Sequence, residues 1–238
     1  MFELILKNKV AVLLMLFFSI VSNAQVNIFG DWRIDNVIGI CDLKEYSMVK
    51  QEENNRWGSL LILNSDGTFL SRNLPECGND ISANILGNFI LIDDNHIRFI
   101  LGETSSRKYN KAHNLDSESD LNKDLGIFYI YKDSKSIRLI ESNGVLEDDE
   151  NKVLYNKLMN SFDWRSYDFV WNNTKGNNQE EIIKDCIDPK KLIDLSNCKV
   201  VFSKKEKYGD VILVQENSNF HFVIYDDFKK KVSLAYPR

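Results

Sequence analysis

The sequence predicts a mainly β fold with minor α content: an antiparallel β-barrel, followed by a helix and a small α+β C-terminal region. Residues 26–141 contain short segments in which apolar and polar residues alternate, separated by polar turns. This pattern is typical of a sandwich or barrel. Residues 148–162 then show apolar positions at three- and four-residue spacing, which indicates a helix. The last forty residues return to short alternating segments, which indicate a β-meander.

The chain begins with a segment typical of an export signal. Lys7 and Lys9 precede an unbroken apolar run over residues 10–21, and small residues lead to Ala24. A membrane-spanning helix needs about 20 apolar residues, whereas a signal peptide needs about a dozen. We therefore expect residues 1–24 to be cleaved and the protein to be periplasmic or secreted. Gln25 is not the cysteine of a lipoprotein, so no stable membrane anchor is expected, and an uncleaved anchor is the alternative.

Composition is that of a folded protein, with 43% apolar and 27% charged residues among 238. A formal net charge of −5 disfavours nucleic acid and anionic membranes as partners. Residues 25–148 carry 13 Lys and Arg against 20 Asp and Glu, whereas residues 149–238 carry 15 against 14. This asymmetry suggests two regions. We place a barrel with an external helix at residues 25–171 and a small α+β subdomain at residues 172–238.

Three hairpins are predicted within the barrel region, because each pair of alternating segments is joined by a short polar turn. Asp66-Gly67 supplies the residues that a tight hairpin turn requires. The paired segments are residues 59–63 with 68–70, 85–92 with 96–101, and 126–131 with 136–140. A polar segment over residues 102–123 has no periodicity and is predicted to be a long loop.

The remaining elements follow in order. Acidic residues 148–150 open the predicted helix, where they suit the positive end of its dipole. A strand is expected at residues 167–171, followed by short helices at 180–185 and 189–195, the second beginning at Pro189. Strands are expected at residues 199–203, 210–215, 220–225 and 231–235.

Cys41, Cys77, Cys186 and Cys198 all lie in the predicted exported part, where an oxidising compartment favours disulfides. Four cysteines allow three pairings. The simplest is Cys41 with Cys77 and Cys186 with Cys198, one pair in each region. No pair has the spacing of a zinc site and no histidine lies close by, so no metal and no cofactor are expected.

No catalytic residue is predicted. His96, His113 and His221 stand outside any nucleophile or ligand motif, and we expect each to be solvated or on the surface. Acidic pairs, at 93–94, 148–149 and 226–227, occur where turns or a helix start are expected, which is typical of solvated residues. Aromatic residues give a better indication of a functional site than the histidines or the acidic pairs do. Phenylalanines on successive predicted strands share one face of the sheet, where they form either a packed core or a ligand-lined cavity: Phe69, Phe89, Phe99 and Phe128.

Gly30-Asp31-Trp32 opens the first predicted strand, and this pattern resembles the Gly-x-Trp of lipocalins. The segment 61–69 is similar to the second and third strands of small lipocalin-like domains exported by bacteria, and the resemblance covers about residues 28–171. It implies an eight-stranded barrel, of which seven strands are identified in the sequence, and a helix packed outside it. It also implies that Trp32 is structural and that a basic residue near the last strand, here Arg138, covers its ring.

The resemblance implies a non-catalytic role, with a small apolar ligand or lipid held in the barrel. The alternative from a different class is an envelope protein-interaction module, such as an inhibitor or immunity-type factor, in which the barrel core is solid. A hydrolase built from carboxylates of distant segments is a third hypothesis, which a pocket holding two acids of perturbed pKa would favour. Cavity volume distinguishes the first two.

Overall fold

A computed structural model describes residues 27–52, 57–74, 83–106, 122–187, 193–207 and 209–237. The predicted signal peptide, Cys77 and His113 lie outside these residues. The chain forms two compact units that divide between Gly144 and Val145.

The first unit is a closed, antiparallel barrel of eight strands, which confirms the predicted fold class. Its strands are β1 (Gly30–Ile34), β2 (Glu45–Lys50), β3 (Gly58–Leu63), β4 (Thr68–Leu74), β5 (Ala83–Leu91), β6 (His96–Ser106), β7 (Asp124–Lys132) and β8 (Ile137–Ser142). All three predicted hairpins are present. The turn between β3 and β4 contains Gly67 at φ 84°, the left-handed conformation that glycine adopts without strain.

The strand order around the barrel is β1-β2-β8-β7-β6-β5-β4-β3. An up-and-down barrel joins each strand to its sequence neighbours throughout. Here β2 lies between β1 and β8, and β3 pairs with the other edge of β1. The sequence prediction missed β2, although Tyr46 and Met48 alternate correctly with exposed or half-buried neighbours and point into the core.

The predicted loop at residues 102–123 is wrong at its N-terminal end, whereas its C-terminal end agrees with the structure. Strand β6 continues to Ser106, and β7 begins at Asp124 after a turn at Asn122, which has φ 65°. Residues 107–121 lie outside the description. Backbone pairing of residues 104–106 with β5 extends the strand despite its polar sequence.

The second unit contains helix α1 (Leu146–Ser161), helix α2 (Gln179–Lys184) and a six-stranded antiparallel sheet. Its strands are β9 (Tyr167–Phe169), β10 (Asn172–Asn173), β11 (Lys199–Glu206), β12 (Gly209–Glu216), β13 (Asn219–Asp226) and β14 (Lys231–Pro237). The order is β10-β14-β13-β12-β11, and β9 also pairs with β14. The expected helix at 189–195 falls mainly on undescribed residues; its described end is a 3₁₀ turn at Leu195–Asn197.

Each face of this sheet is covered by one helix. Tyr155 of α1 packs with Phe222 and neighbours on one face, while Ile182 and Ile183 of α2 pack with the opposite face. Acidic residues fill the first turn of α1, as predicted. The sequence assigned the helix to the barrel region, with a boundary at residue 171. The apolar stripe of α1 instead packs on the C-terminal sheet, so the boundary between units falls before the helix.

Candidate functional site

The four predicted interior phenylalanines meet in the barrel core. Phe99 lies at the centre, with ring centroids 5.2 Å from Phe69, 6.3 Å from Phe89 and 5.9 Å from Phe128. Their side chains are between 0 and 5% exposed. Gly87 makes room for this packing, because a Cβ there would lie 2.5 Å from a ring carbon of Phe69. The rings therefore contact one another in a filled interior.

The segments before and after β1 add buried residues to the barrel core. After β1, the connection to β2 buries Val37 and Ile38, and the backbone N–H of Ile38 donates a 2.9 Å hydrogen bond to Oγ of Ser71 on β4. Before β1, Ile28 is fully buried, and the indole Nε1–H of Trp32 donates to its carbonyl at 2.7 Å. These contacts hold both segments against the barrel core.

Trp32 is buried, as a structural role requires, but the predicted partner differs. The cation over its ring is Lys50, whose Nζ lies 3.9 Å from the ring centroid and donates to the carbonyl of Phe29 at 2.9 Å. Arg138 lies elsewhere, with Nε 2.5 Å from Oε1 of Glu45. That carboxylate raises the pKa of the Arg138 guanidinium. The unrecognised strand β2 carries both Lys50 and Glu45, which is why the sequence prediction chose the wrong cation.

The structure forms no disulfide among the described cysteines, Cys41, Cys186 and Cys198. The predicted bond between Cys186 and Cys198 is therefore absent, and the pairing of Cys41 with Cys77 lies outside the described residues. Cys198 Sγ instead donates to the carbonyl of Asp194 at 3.5 Å, within the turn that precedes β11. Burial, followed by the charges of Glu216 and Asp194, raises the pKa of the Cys198 thiol, which disfavours the thiolate needed for nucleophilic chemistry.

Each histidine was expected to be solvated or on the surface, and His96 is instead buried. His96 is only 1% exposed, and its Nδ1 lies 2.8 Å from Oδ2 of Asp93 in the turn before β6. Burial opposes ionisation of Asp93, but hydrogen bonds from His96 and from Asn95 N outweigh it and hold the pKa of Asp93 below its ordinary value. His221 is partly buried, with Nε2 3.9 Å from Glu216. Asp93 and His96 thus tie a hairpin turn to its strand.

An open cleft of about 390 Å³ lies in the second unit, between α2 and the start of β11. It is lined by Glu180, Ile183, Lys184, Leu195, Ser196, Cys198, Lys199 and Val200. The lining holds one carboxylate and no histidine, and so does not provide the two acids that would favour a hydrolase. Within the described ranges, no cluster of three or more His, Cys, Asp or Glu side chains could hold a metal ion.

The outer face of the barrel carries a feature that the sequence analysis missed. Ile62, Leu70 and Leu86 lie directly opposite one another on β3, β4 and β5, with their neighbours Leu61, Phe69 and Ile85 in the core. Leu86 is 47% exposed, and Ile90, further along β5, is 52% exposed. We call Ile62, Leu70, Leu86 and Ile90 the outer apolar row. Pairing register between strands creates it, and register could not be read from the sequence.

Arginines border the outer apolar row. In register terms Arg33 lies opposite Leu60 on β3, and Leu60 lies opposite Arg72 on β4. The Nε of Arg72 is buried and has no hydrogen-bond partner among the described residues. At the other end of the row, Arg98 lies opposite Ile90 and pairs with Asp124. The border therefore holds three arginines, and it also holds two carboxylates: Asp31, opposite Ile62 on β1, and Asp124, which pairs with Arg98.

An eight-stranded barrel with a filled core, joined to an α+β unit, is the class that these observations define. No protein-family model, curated protein or solved structure matches the chain. In the part of the chain that is described, no helix has the length and apolarity needed to cross a membrane.

Proposed function

We propose that this chain is an exported, non-catalytic protein-interaction module that uses the outer apolar row of its barrel to bind a partner protein. The observation that carries the proposal is the in-register row of half-buried Ile62, half-buried Leu70 and exposed Leu86, with exposed Ile90 further along β5. Contiguous exposed apolar side chains rimmed by polar ones are typical of protein-binding surfaces on soluble domains. A closed barrel leaves no free strand edge, so the face itself is the available surface.

The filled core supports a scaffold role for the barrel. Eight-stranded barrels are just wide enough either to fill with side chains or to hold one small ligand. Phe99 contacts three other phenylalanine rings, and Ile38 and Ile28 add fully buried side chains to the same core. A small apolar ligand would have to displace one of these rings, so we rank the ligand-binding hypothesis second.

Charge indicates the partner's chemistry. Arg33 and Arg72 are half-buried, and each brings a guanidinium charge to the border of the row. A carboxylate of the partner could accept charge-assisted hydrogen bonds from the solvent-facing N–H groups of these side chains. We therefore infer a partner whose apolar centre meets Leu70 and Leu86 and whose acidic rim meets Arg33 and Arg72.

Site-specific photo-crosslinking in the native host tests this proposal. A photoreactive residue at Leu86 should give one discrete crosslinked protein, and the same residue at Lys135, in the exposed turn between β7 and β8, should not. The charge reversal Arg72→Glu should abolish the product from Leu86 while thermal unfolding of the variant stays cooperative. Identical products from both positions, or persistence of the product in Arg72→Glu, would refute the docking surface.

Native mass spectrometry of the protein purified from its host tests the filled core separately. We expect the mass of the polypeptide alone, before and after organic extraction. A bound small molecule that extraction removes would overturn the solid barrel and restore the apolar-ligand hypothesis.

A further inference from the structure

The turn between β13 and β14 presents a phenylalanine to solvent. Phe228 is 96% exposed, the highest value among the large apolar side chains of the described residues. It stands within Asp226-Asp227-Phe228-Lys229-Lys230-Lys231. A phenylalanine at a turn tip gains no burial from folding of the unit, so its ring is free to contact an external surface.

The turn around Phe228 is ordered by its own polar side chains. Lys229 N donates to Oδ1 of Asp226 at 2.9 Å, and Lys230 Nζ donates to Oδ1 of Asp227 at 2.7 Å and to the hydroxyl of Tyr225 at 3.2 Å. Lys230 adopts a left-handed φ of 52°, which completes the turn. These bonds hold Phe228 outward in advance of any binding event, which lowers the entropic cost of using it.

A second lysine-rich turn lies beside this one. Because Asp210 at the start of β12 pairs with Tyr225 at the end of β13, the β11–β12 turn and the β13–β14 turn share one end of the sheet. Thr174 N donates to the carbonyl of Lys230 at 3.0 Å, which brings the segment after β10 to the same end. We call this end the lysine edge, and it carries Lys175, Lys204, Lys205, Lys207, Lys229, Lys230 and Lys231.

The lysine edge has a positive balance of charge. Its carboxylates are Asp185, Glu206, Asp210, Asp226 and Asp227, five against seven lysines. Three of them are in ion pairs with lysines of the edge, with N–O distances between 2.7 and 3.2 Å. The sequence analysis disfavoured an anionic membrane as partner from the net charge of the whole chain. The fold instead concentrates lysines from three segments at one end of a unit whose charges nearly balance, with 15 Lys and Arg against 16 Asp and Glu over residues 145–238.

We propose that the lysine edge docks on the surface of an anionic phospholipid bilayer, with Phe228 inserted at the boundary of headgroups and acyl chains. The shape favours a bilayer over a protein, because a single projecting side chain on a convex turn buries too little area for a stable protein interface. Lysines around an apolar tip supply the two signals, apolar and electrostatic, that reversible membrane binding requires. Lysine stems can lie along the apolar boundary while their ammonium groups reach phosphate.

Vesicle co-flotation tests the proposal with the purified protein. Vesicles of equal parts phosphatidylglycerol and phosphatidylcholine should carry the protein, vesicles of phosphatidylcholine alone should not, and binding should fall as salt rises. Phe228→Ser should weaken binding about tenfold, from the loss of one buried aromatic side chain. The double variant Lys205→Gln/Lys207→Gln should also weaken binding and should reduce its salt dependence.

Val145→Ser is the matched control. Val145 is an exposed apolar residue of the same unit, and the ion pair between Glu147 and Lys199 places it at the opposite end of β11 from the lysine edge. Unchanged binding is expected for this variant. Equal binding to neutral vesicles, equal loss in Val145→Ser, wild-type binding by Phe228→Ser, or binding to a soluble polyglutamate in place of vesicles would each overturn the proposal. Because the lysine edge and the outer apolar row are on different units, either proposal can fail alone.

Discussion

Tyr155 of α1 provides a test of the energetics of the second unit. Its side chain is 1% exposed, and its ring lies 5.2 Å from that of Phe202 and 5.9 Å from that of Phe222. Within the described part of the chain, its hydroxyl has no hydrogen-bond partner. A buried hydroxyl without a partner costs about 1–3 kcal/mol in lost solvation. Tyr155→Phe keeps the ring contacts and removes the hydroxyl, so we expect stabilisation of about 1 kcal/mol at neutral pH.

The same residue predicts a loss of stability at alkaline pH. Burial, followed by the charge of Glu206, raises the pKa of Tyr155 from 10.0 to about 12. Because the folded pKa lies above the unfolded one, the contribution is fully present below the unfolded pKa and is lost as pH rises toward the folded pKa. At about one pH unit above the unfolded value, the loss is about 1.4 kcal/mol. Tyr155→Phe should lack this loss, so its advantage over the wild type should grow with pH.

Urea unfolding at neutral and alkaline pH, followed by far-UV circular dichroism, measures both effects. Tyr225→Phe is the matched control in the same unit, since its hydroxyl bonds Asp227 at 3.0 Å and Lys230 at 3.2 Å. That variant should be destabilised by about 0.5–1.5 kcal/mol. If Tyr155→Phe is destabilised to the same degree, or its advantage does not grow with pH, the hydroxyl has a partner and the reasoning is wrong.

Two further predictions concern the barrel. Gly87→Ala places a Cβ against the carbonyl oxygen of Ile100, so it should destabilise the barrel by about 1–3 kcal/mol in thermal unfolding. It should destabilise the barrel more than Gly126→Ala, where no atom of the described residues lies within 4 Å of the added Cβ and only the left-handed backbone is strained. Asp93→Asn should flatten the acid limb of a plot of Tm against pH. The pKa of Asp93 is lowered in the folded state, so its contribution is present above the unfolded pKa and is lost as pH falls through the folded value; an acid limb as steep as that of the wild type would contradict this assignment.

The sequence contained the local structure but not the pairing between distant strands. Asp66-Gly67 predicted its hairpin because turn chemistry acts over four residues, and the meander at the C-terminus was predicted for the same reason. Strand β2 was missed because six residues between irregular segments give a weak alternation signal. Its position between β1 and β8 depends on a partner strand about ninety residues away. The local sequence does not determine that register.

For the candidate site, too, the sequence predicted what local alternation determines and missed what the pairing of distant strands determines. The four core phenylalanines were predicted as a group because alternation fixes which face each strand presents. Whether their interior holds a ligand depends on how segments such as residues 35–44 pack against the core, which alternation does not determine. Lys50, the residue over Trp32, could have been found only by recognising β2. The outer apolar row and the lysine edge both require knowledge of which residues stand opposite one another.

The position of β2 has a consequence for the order in which the barrel can assemble. The β3–β4, β5–β6 and β7–β8 hairpins each close a loop of four residues. Pairing of β2 with β8 instead closes a loop of about ninety residues, at an entropic cost of about 4 kcal/mol. Until Ser142 is available, β2 and β7 both present unpaired edges, which are templates for wrong association. Strand β2 is synthesised early, but one of its edges stays unpaired until β8, the last strand of the barrel, is available. A chain truncated before β8 should therefore be prone to aggregate.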